Sequence, residues 1–329
     1  MKLLILVRLC LLLTLTVIVL GAYTRLADAG LGCPDWPGCY GQLGVPNSAQ
    51  ELANAKTLYP NLTVESEKAW LEMIHRYFAG ALGLLVLFIS VCCVVQKRMS
   101  PTLPVLTVFT IVFQALLGMW TVTMKLMPVV VMGHLLGGFT LLCLMSVIYW
   151  RLNANQDIVD HSYVTPMFRL LSVVALITIG LQIALGGWTS SNYAALMCTN
   201  LPVCEGDWVS HLDFKHAFQL IQPVQESYEF GTLDYGARMT IHVTHRFGAF
   251  VVAVLVSFLV FQSFEQGDRE ISKAGWWAFA FLVVQIALGI SNVLFSLPLP
   301  VAVAHNLVAA LLLVNVLYIN FLVWHPAEA

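Results

Sequence analysis

The chain is 329 residues long, 59% hydrophobic and only 10% charged, with a formal net charge of −2. Soluble globular domains carry roughly 25% charged residues, and a mean hydropathy of +0.82 lies far to the apolar side. This composition excludes a soluble globular domain, gives no reason to expect a nucleic-acid partner, and predicts an integral membrane protein.

A bilayer core of about 30 Å is crossed by ~20 mostly apolar residues in a helix. Eight such runs occur, near residues 5–25, 72–95, 103–124, 128–150, 167–189, 239–263, 274–296 and 300–323. Their even lengths favour helices, since membrane strands read as short alternating segments. The predicted class is all-α.

The first run follows Lys2 and Arg8 and ends before Ala27-Asp28-Ala29, so it can also be read as a signal peptide. An internal repeat, described below, argues for a retained helix. After it comes "GLGCPDWPGC", with Cys33 and Cys39 six positions apart. Metal ligands, catalytic thiols and a disulfide are all open readings for such a pair. The second run opens with Glu72, His75 and Arg76, the third carries Gln114 and the fourth His134.

A polar segment ending in proline, "RLNANQDIVDHSYVTP" (151–166), is the natural boundary between two halves, 1–150 and 167–329. The fifth run carries Gln182, and a long loop (190–238) holds Cys198, Cys204, His211 and His216. The sixth run has His242, His245 and Arg246, the seventh Gln285 and Asn292, and the eighth His305. The glutamines and Asn292 read most simply as interhelical hydrogen bonders, and His211 and His216 as solvated loop residues.

Lys2, Arg8, Lys97, Arg98, Arg151, Arg169, Arg269 and Lys273 fall on one side in or beside short loops, which marks that side as cytoplasmic. Both termini are then cytoplasmic. Loops 26–71 and 190–238 face outward, into the periplasm if the source is bacterial.

The halves repeat. "VLGAYT" (19–24) matches "ALGGWT" (184–189), and Cys33/Cys39 match Cys198/Cys204, all at an offset of 165. "HRYFAGA" from His75 matches "HRFGAF" from His245 at 170; "FQALLG" (113–118) matches "VQIALG" (284–289), and His134 matches His305, at 171. Four spans per unit is an even number, so both copies face the same way. The architecture predicted is two pseudo-symmetric four-helix bundles related by a parallel internal repeat.

Histidine is costly in a bilayer, so His75, His134, His245 and His305 are site candidates. Each lies about five residues into its run, at matched depth, and two per bundle suit an axial pair on a haem iron. The residue four positions on is always small: Ala79, Gly138, Ala249 and Ala309. The rival is zinc or copper, with His242 and His245 at i, i+3. It lacks a second histidine beside His75, and no intramembrane Cys or Asp completes a coordination sphere. The C-x-x-C-H motif of covalent haem attachment is absent. Arg25, Arg76, Arg238 and Arg246 sit near the same depth and are candidate partners for haem propionates, with interfacial snorkelling as the alternative. One turn before the key histidine the halves differ, Glu72 against His242. Glu72 either handles protons at a site or caps its helix.

Taken together, "TRLADAGLGCPDWP", Glu72-x-x-His75-Arg76 and the His134, His245, His305 register resemble the haem A synthase family over essentially the whole chain. The resemblance implies an enzyme that takes haem O from haem O synthase and oxidises a ring methyl to a formyl group, by stepwise hydroxylation and loss of water from a gem-diol. The product, haem A, serves respiratory oxidases, so oxidase assembly factors are implied as recipients, and a homo-oligomer is compatible. It implies His75 and His134 as ligands of the substrate haem, His245 and His305 as ligands of a cofactor haem b, and Glu72 as the catalytic carboxylate. The competing class is a di-haem b-type electron carrier, which needs the histidines but not Glu72. A thiol oxidoreductase would want a tighter cysteine spacing, and a transporter broken midplane helices.

For the cysteines, an outward placement in an oxidising compartment and the repeat at Cys198 and Cys204 favour structural disulfides Cys33–Cys39 and Cys198–Cys204. A redox relay is the alternative.

Overall fold

In a bilayer every backbone polar group must be satisfied within the segment, and long apolar runs achieve this as helices. The computed structural model describes residues 2–153 and 164–324. Most of the predicted boundary segment 151–166 therefore lies outside the described residues. Eight helices among those described are long and apolar enough to cross a membrane. They are α1 (Lys2–Leu26), α3 (Ser66–Val95), α4 (Thr102–Thr123), α5 (Pro128–Asn153), α6 (Pro166–Ser191), α8 (Tyr235–Glu265), α9 (Arg269–Leu294) and α10 (Leu299–Trp324). All eight correspond to predicted runs, and the chain is an all-α integral membrane protein. Phe109, Leu181, Phe250 and Trp276 stand more than 60% exposed, as lipid-facing side chains do.

Helices α3 and α8 begin several residues before their apolar runs. Helical hydrogen bonding does not require apolar side chains, so the polar starts Ser66-Glu67-Lys68 and Tyr235-Gly236-Ala237-Arg238 are already wound. His75 is thus the tenth residue of α3 and His245 the eleventh of α8, while His134 and His305 are each the seventh of α5 and α10. Counted from the helix starts, the histidines are therefore not all five residues in.

The described residues form two compact units. One comprises Met1–Met145 with Leu220–Thr232; the other comprises Ser146–Gln219 with Leu233–Ala329. In the first, α1 packs on α3 and α3 on α4. In the second, α6, α8, α9 and α10 pack in a closed cycle. Buried amides join helices there, since polar groups in hydrocarbon seek partners across helix interfaces. Asn320 Nδ2 donates to Ser172 O at 2.9 Å, and Asn315 Nδ2 to Ala274 O at 2.9 Å.

The first long loop is not structureless. Ser48 and Glu51 form a reciprocal capping box that starts a short helix, α2 (Ala49–Leu58). This S-x-x-E signal was readable in the sequence. Cys33, Cys39, Tyr40, Val45, Ala55, Ala69 and Met73 make a small core beneath it, with Tyr40 and Tyr59 edge to face at 5.6 Å. Burial pushes the Tyr40 phenol above its ordinary pKa, helped by the nearby Glu65 and Glu72 carboxylates. In the second loop a 3₁₀ turn (Trp208–His211) precedes the four-residue α7 (Phe214–Ala217).

Candidate functional site

Both cysteine pairs form disulfides, Cys33–Cys39 and Cys198–Cys204, with Cα atoms 4.8 and 5.3 Å apart. Each loop is gripped by side chains from the membrane helix that follows it. Gly32 permits the first grip: a Cβ there would stand 2.6 Å from the Lys68 carbonyl, so only glycine lets the loop run against the α3 backbone. Cys33 N–H then donates to Glu72 Oε2 at 2.8 Å. Glu72, only 4% exposed, receives a second donor from Arg76 Nη2. Arg76 Nη1 in turn donates to the carbonyls of Pro37, at 3.3 Å, and Gly38. Carboxylate, guanidinium and disulfide loop are one hydrogen-bonded unit.

The second half repeats the grip with different chemistry. Arg246 Nη1 donates to Asn200 O at 2.8 Å and touches Cys198 Sγ at 2.9 Å, and its Nη2 donates to Cys198 O. His242, standing where Glu72 stands in the first half, contacts the Ala194 carbonyl through Nδ1 at 2.9 Å. Arg25 pairs with Asp28 at 3.7 Å, and Arg238 keeps a buried Nε with no hydrogen-bond partner. His216 binds Asp213 at 2.6 Å, which holds that carboxyl below its usual range. His211 packs edge to face on Tyr235.

The four histidines come together in pairs. The His75 and His134 ring centres are 6.4 Å apart at 88°, and His245 and His305 lie within electrostatic reach of each other. Each ring rests on a glycine of the preceding membrane helix. A Cβ on Gly21, Gly118, Gly186 or Gly289 would lie 2.9, 3.3, 3.2 or 3.3 Å from Cε1 of His75, His134, His245 or His305. These are the glycines of the repeated "LGAYT", "LLG", "LGGWT" and "ALG" stretches. The repeat was visible in the sequence, but its reason, clearance for an imidazole, was not.

The glutamines proved more informative than their sequence reading. Gln114 Nε2 donates to the His134 carbonyl at 2.8 Å, and Gln182 Nε2 to the His245 carbonyl at 2.9 Å. Gln285 Nε2 lies 3.2 Å from His305 Nε2. They are interhelical, and each lands on a candidate ligand. Their signal was Q-x-x-x-G, present three times.

Two features bear on what the pairs could hold. Nδ1 of His75, His134 and His305 is buried without a partner, which is costly unless something else bonds it. Among the described residues no three His, Cys, Asp or Glu side chains converge to form a metal site. A two-imidazole donor set, spaced as at His75 and His134, suits an iron whose other ligands come from a macrocycle.

A heme A synthase of Shewanella oneidensis is 50% identical over 324 residues, covering 98% of this chain and 97% of that protein. Heme A synthases of Rickettsia prowazekii and Shouchella clausii are 26% and 24% identical, each over at least 93% of both chains. Residues 4–317 match the family model COX15-CtaA, cytochrome oxidase assembly protein, and the chain belongs to that family.

Proposed function

We propose that the protein is a haem A synthase, an enzyme that oxidises a ring methyl of haem O to the formyl group of haem A. The observation that carries this reading is the Glu72 carboxylate, buried three residues from a histidine whose ring pairs with that of His134. A pure electron carrier would need it only to hold the Cys33–Cys39 loop and Arg76. In this reading the half preceding residue 151 holds the substrate haem through His75 and His134, and the half from 167 holds a haem b through His245 and His305. When bound, the haem irons supply the redox chemistry of methyl oxidation. The chain orients the iron through imidazoles seated on glycines, keeps water out with apolar helices, and holds a proton acceptor at Glu72. Arg25, Arg76, Arg238 and Arg246 are the candidate propionate partners in this reading; Arg76 and Arg246 also donate to loop carbonyls, and Arg25 also pairs with Asp28.

The basic short loops support an orientation with both termini in the cytoplasm and the disulfide loops in the periplasm, in a bacterial inner membrane. Haem O synthase is the implied donor and oxidase assembly factors the implied recipients. A homo-oligomer is compatible with the exposed apolar helix faces.

Acid-acetone extraction of haem from the purified protein tests the reading. Haem O or haem A alongside haem B is the expected result. Haem B alone, in protein from cells that make haem O, overturns it in favour of a di-haem carrier. The glycine seats give a second expectation. Gly21→Ala places a methyl against the His75 ring, and overpacking of this kind costs about 1–3 kcal/mol. Haem bound per protein is expected to fall at the His75/His134 pair, whereas Gly80→Ala, which meets nothing within 4 Å, serves as the neutral control. Equal haem content in both variants would show that the seat does not position the ligand.

A further inference from the structure

Three of the four histidines are met by a glutamine side chain from a neighbouring helix, and His75 is not. Gln114, Gln182 and Gln285 stand four residues before Gly118, Gly186 and Gly289, so the amide and the glycine seat share one helix face. Four residues before Gly21 stands Val17. The offset of 165 that pairs Gly21 with Gly186 and Cys33 with Cys198 also pairs Val17 with Gln182.

The amide at 182 holds its histidine twice. Nε2 donates to the His245 carbonyl at 2.9 Å and lies 3.0 Å from His245 Nδ1. What α1 offers His75 is a main-chain contact at Val17, of the kind Gln114 and Gln285 also offer their histidines, but no side-chain amide. A carbonyl inside a helix already accepts from the residue four positions on. A second donor reaching it from another helix fixes the separation and rotation of the two helices, and therefore the position of the Cα that carries the imidazole. Groups that hold a ligand in place in this way tune how firmly the metal is held.

We propose that Val17 makes His75 the release ligand of the protein: the haem at the His75/His134 pair exchanges through His75, while the haem at His245/His305 is retained by His245, which Gln182 holds at both its carbonyl and its ring. The proposal rests on the reading of the histidine pairs as haem ligands. It assigns a physical cause to a division of labour that the repeat alone does not explain. A substrate site must let its haem leave after each turnover, and a cofactor site must not.

The test is haem dissociation from full-length protein in detergent. Wild type, Val17→Gln, Val17→Leu and Gln182→Val are loaded with ferric haem B and mixed with excess apomyoglobin, and the loss of the bis-imidazole absorption band is followed. Wild type is expected to show a fast and a slow phase. Val17→Gln should slow the fast phase by roughly three- to tenfold, the range one interhelical hydrogen bond supplies in a membrane protein, and Gln182→Val should speed the slow phase by a similar factor. Val17→Leu should leave both phases unchanged. An unaltered fast phase in Val17→Gln, or an equal slowing in Val17→Leu, overturns the proposal. A wild-type protein that takes up no haem overturns the haem-site reading itself, as does a His75→Ala protein whose two phases match the wild type.

Discussion

Replacing Glu72 with glutamine is expected to stop haem A formation while the protein stays in the membrane at its normal level. A side chain that moves a proton in the rate-determining step contributes roughly 10²- to 10⁴-fold to rate, and the amide cannot do so. The substitution is also the mildest one available structurally. The amide oxygen can still accept from Cys33 N–H, the contact made now at 2.8 Å. What it removes is the charge opposite Arg76, and breaking a buried pair costs about 3–5 kcal/mol when the remaining ion is left alone. Arg76 is not left alone, because Pro37 and Gly38 carbonyls continue to accept from it. Glu72→Ala is the contrasting variant: it loses the loop contact as well, and should lower protein yield. The measurement is haem A per membrane protein by extraction, with the Cys33–Cys39 disulfide checked by thiol labelling. Normal haem A yield from Glu72→Gln would remove the carboxylate from the mechanism.

The second large effect is expected at the other pair. In a His245→Ala/His305→Ala protein the glycine seats and the Gln182 bond to the carbonyl of residue 245 remain, but neither imidazole is left to bond an iron. The reduced-minus-oxidised spectrum should lose its retained haem b component. Haem A formation should fall with it if that haem relays electrons. Arg246 keeps its contacts with Cys198 and Asn200, so the loop above is expected to stay folded. Free imidazole added to the variant should restore part of the absorption, which a collapsed bundle could not do. A spectrum identical to wild type would remove these histidines from haem binding.

Much of this was legible in the sequence for definite reasons. Hydrocarbon thickness sets a helix length, so eight apolar runs gave eight helices. The duplication was legible because matched cysteines, histidines and glycines sit at nearly constant offsets. What could not be read were contacts that depend on chain reversal. That Glu72 would bond Cys33, thirty-nine residues earlier, follows from Gly32 allowing the loop to touch α3. Position alone allowed both a proton carrier and a helix cap. The carboxylate also bonds Cys33 N–H and Arg76, contacts that position alone did not show. Arg76 and Arg246 were read as propionate partners because guanidinium prefers anions; that the cysteine loops also offer them carbonyls could not be read from the sequence. The glutamines were undervalued for a related reason, since hydropathy scores a polar residue in a membrane helix without saying which neighbour it meets.

Segment Leu220–Thr232 belongs to the first unit although the chain reaches it only after α6. Tyr228 N–H donates to the Lys125 carbonyl at 3.0 Å, and Glu229 lies within electrostatic reach of Lys68, Arg25 and Asp28. The two halves of the gene are therefore not two exchangeable cassettes. A fragment ending at residue 153 would carry His75, His134 and Glu72 yet lack thirteen residues of its own unit, and those would travel with the other fragment. Split or circularly rearranged versions should regain the first unit only when both pieces are made together, or when the cut is moved beyond Thr232.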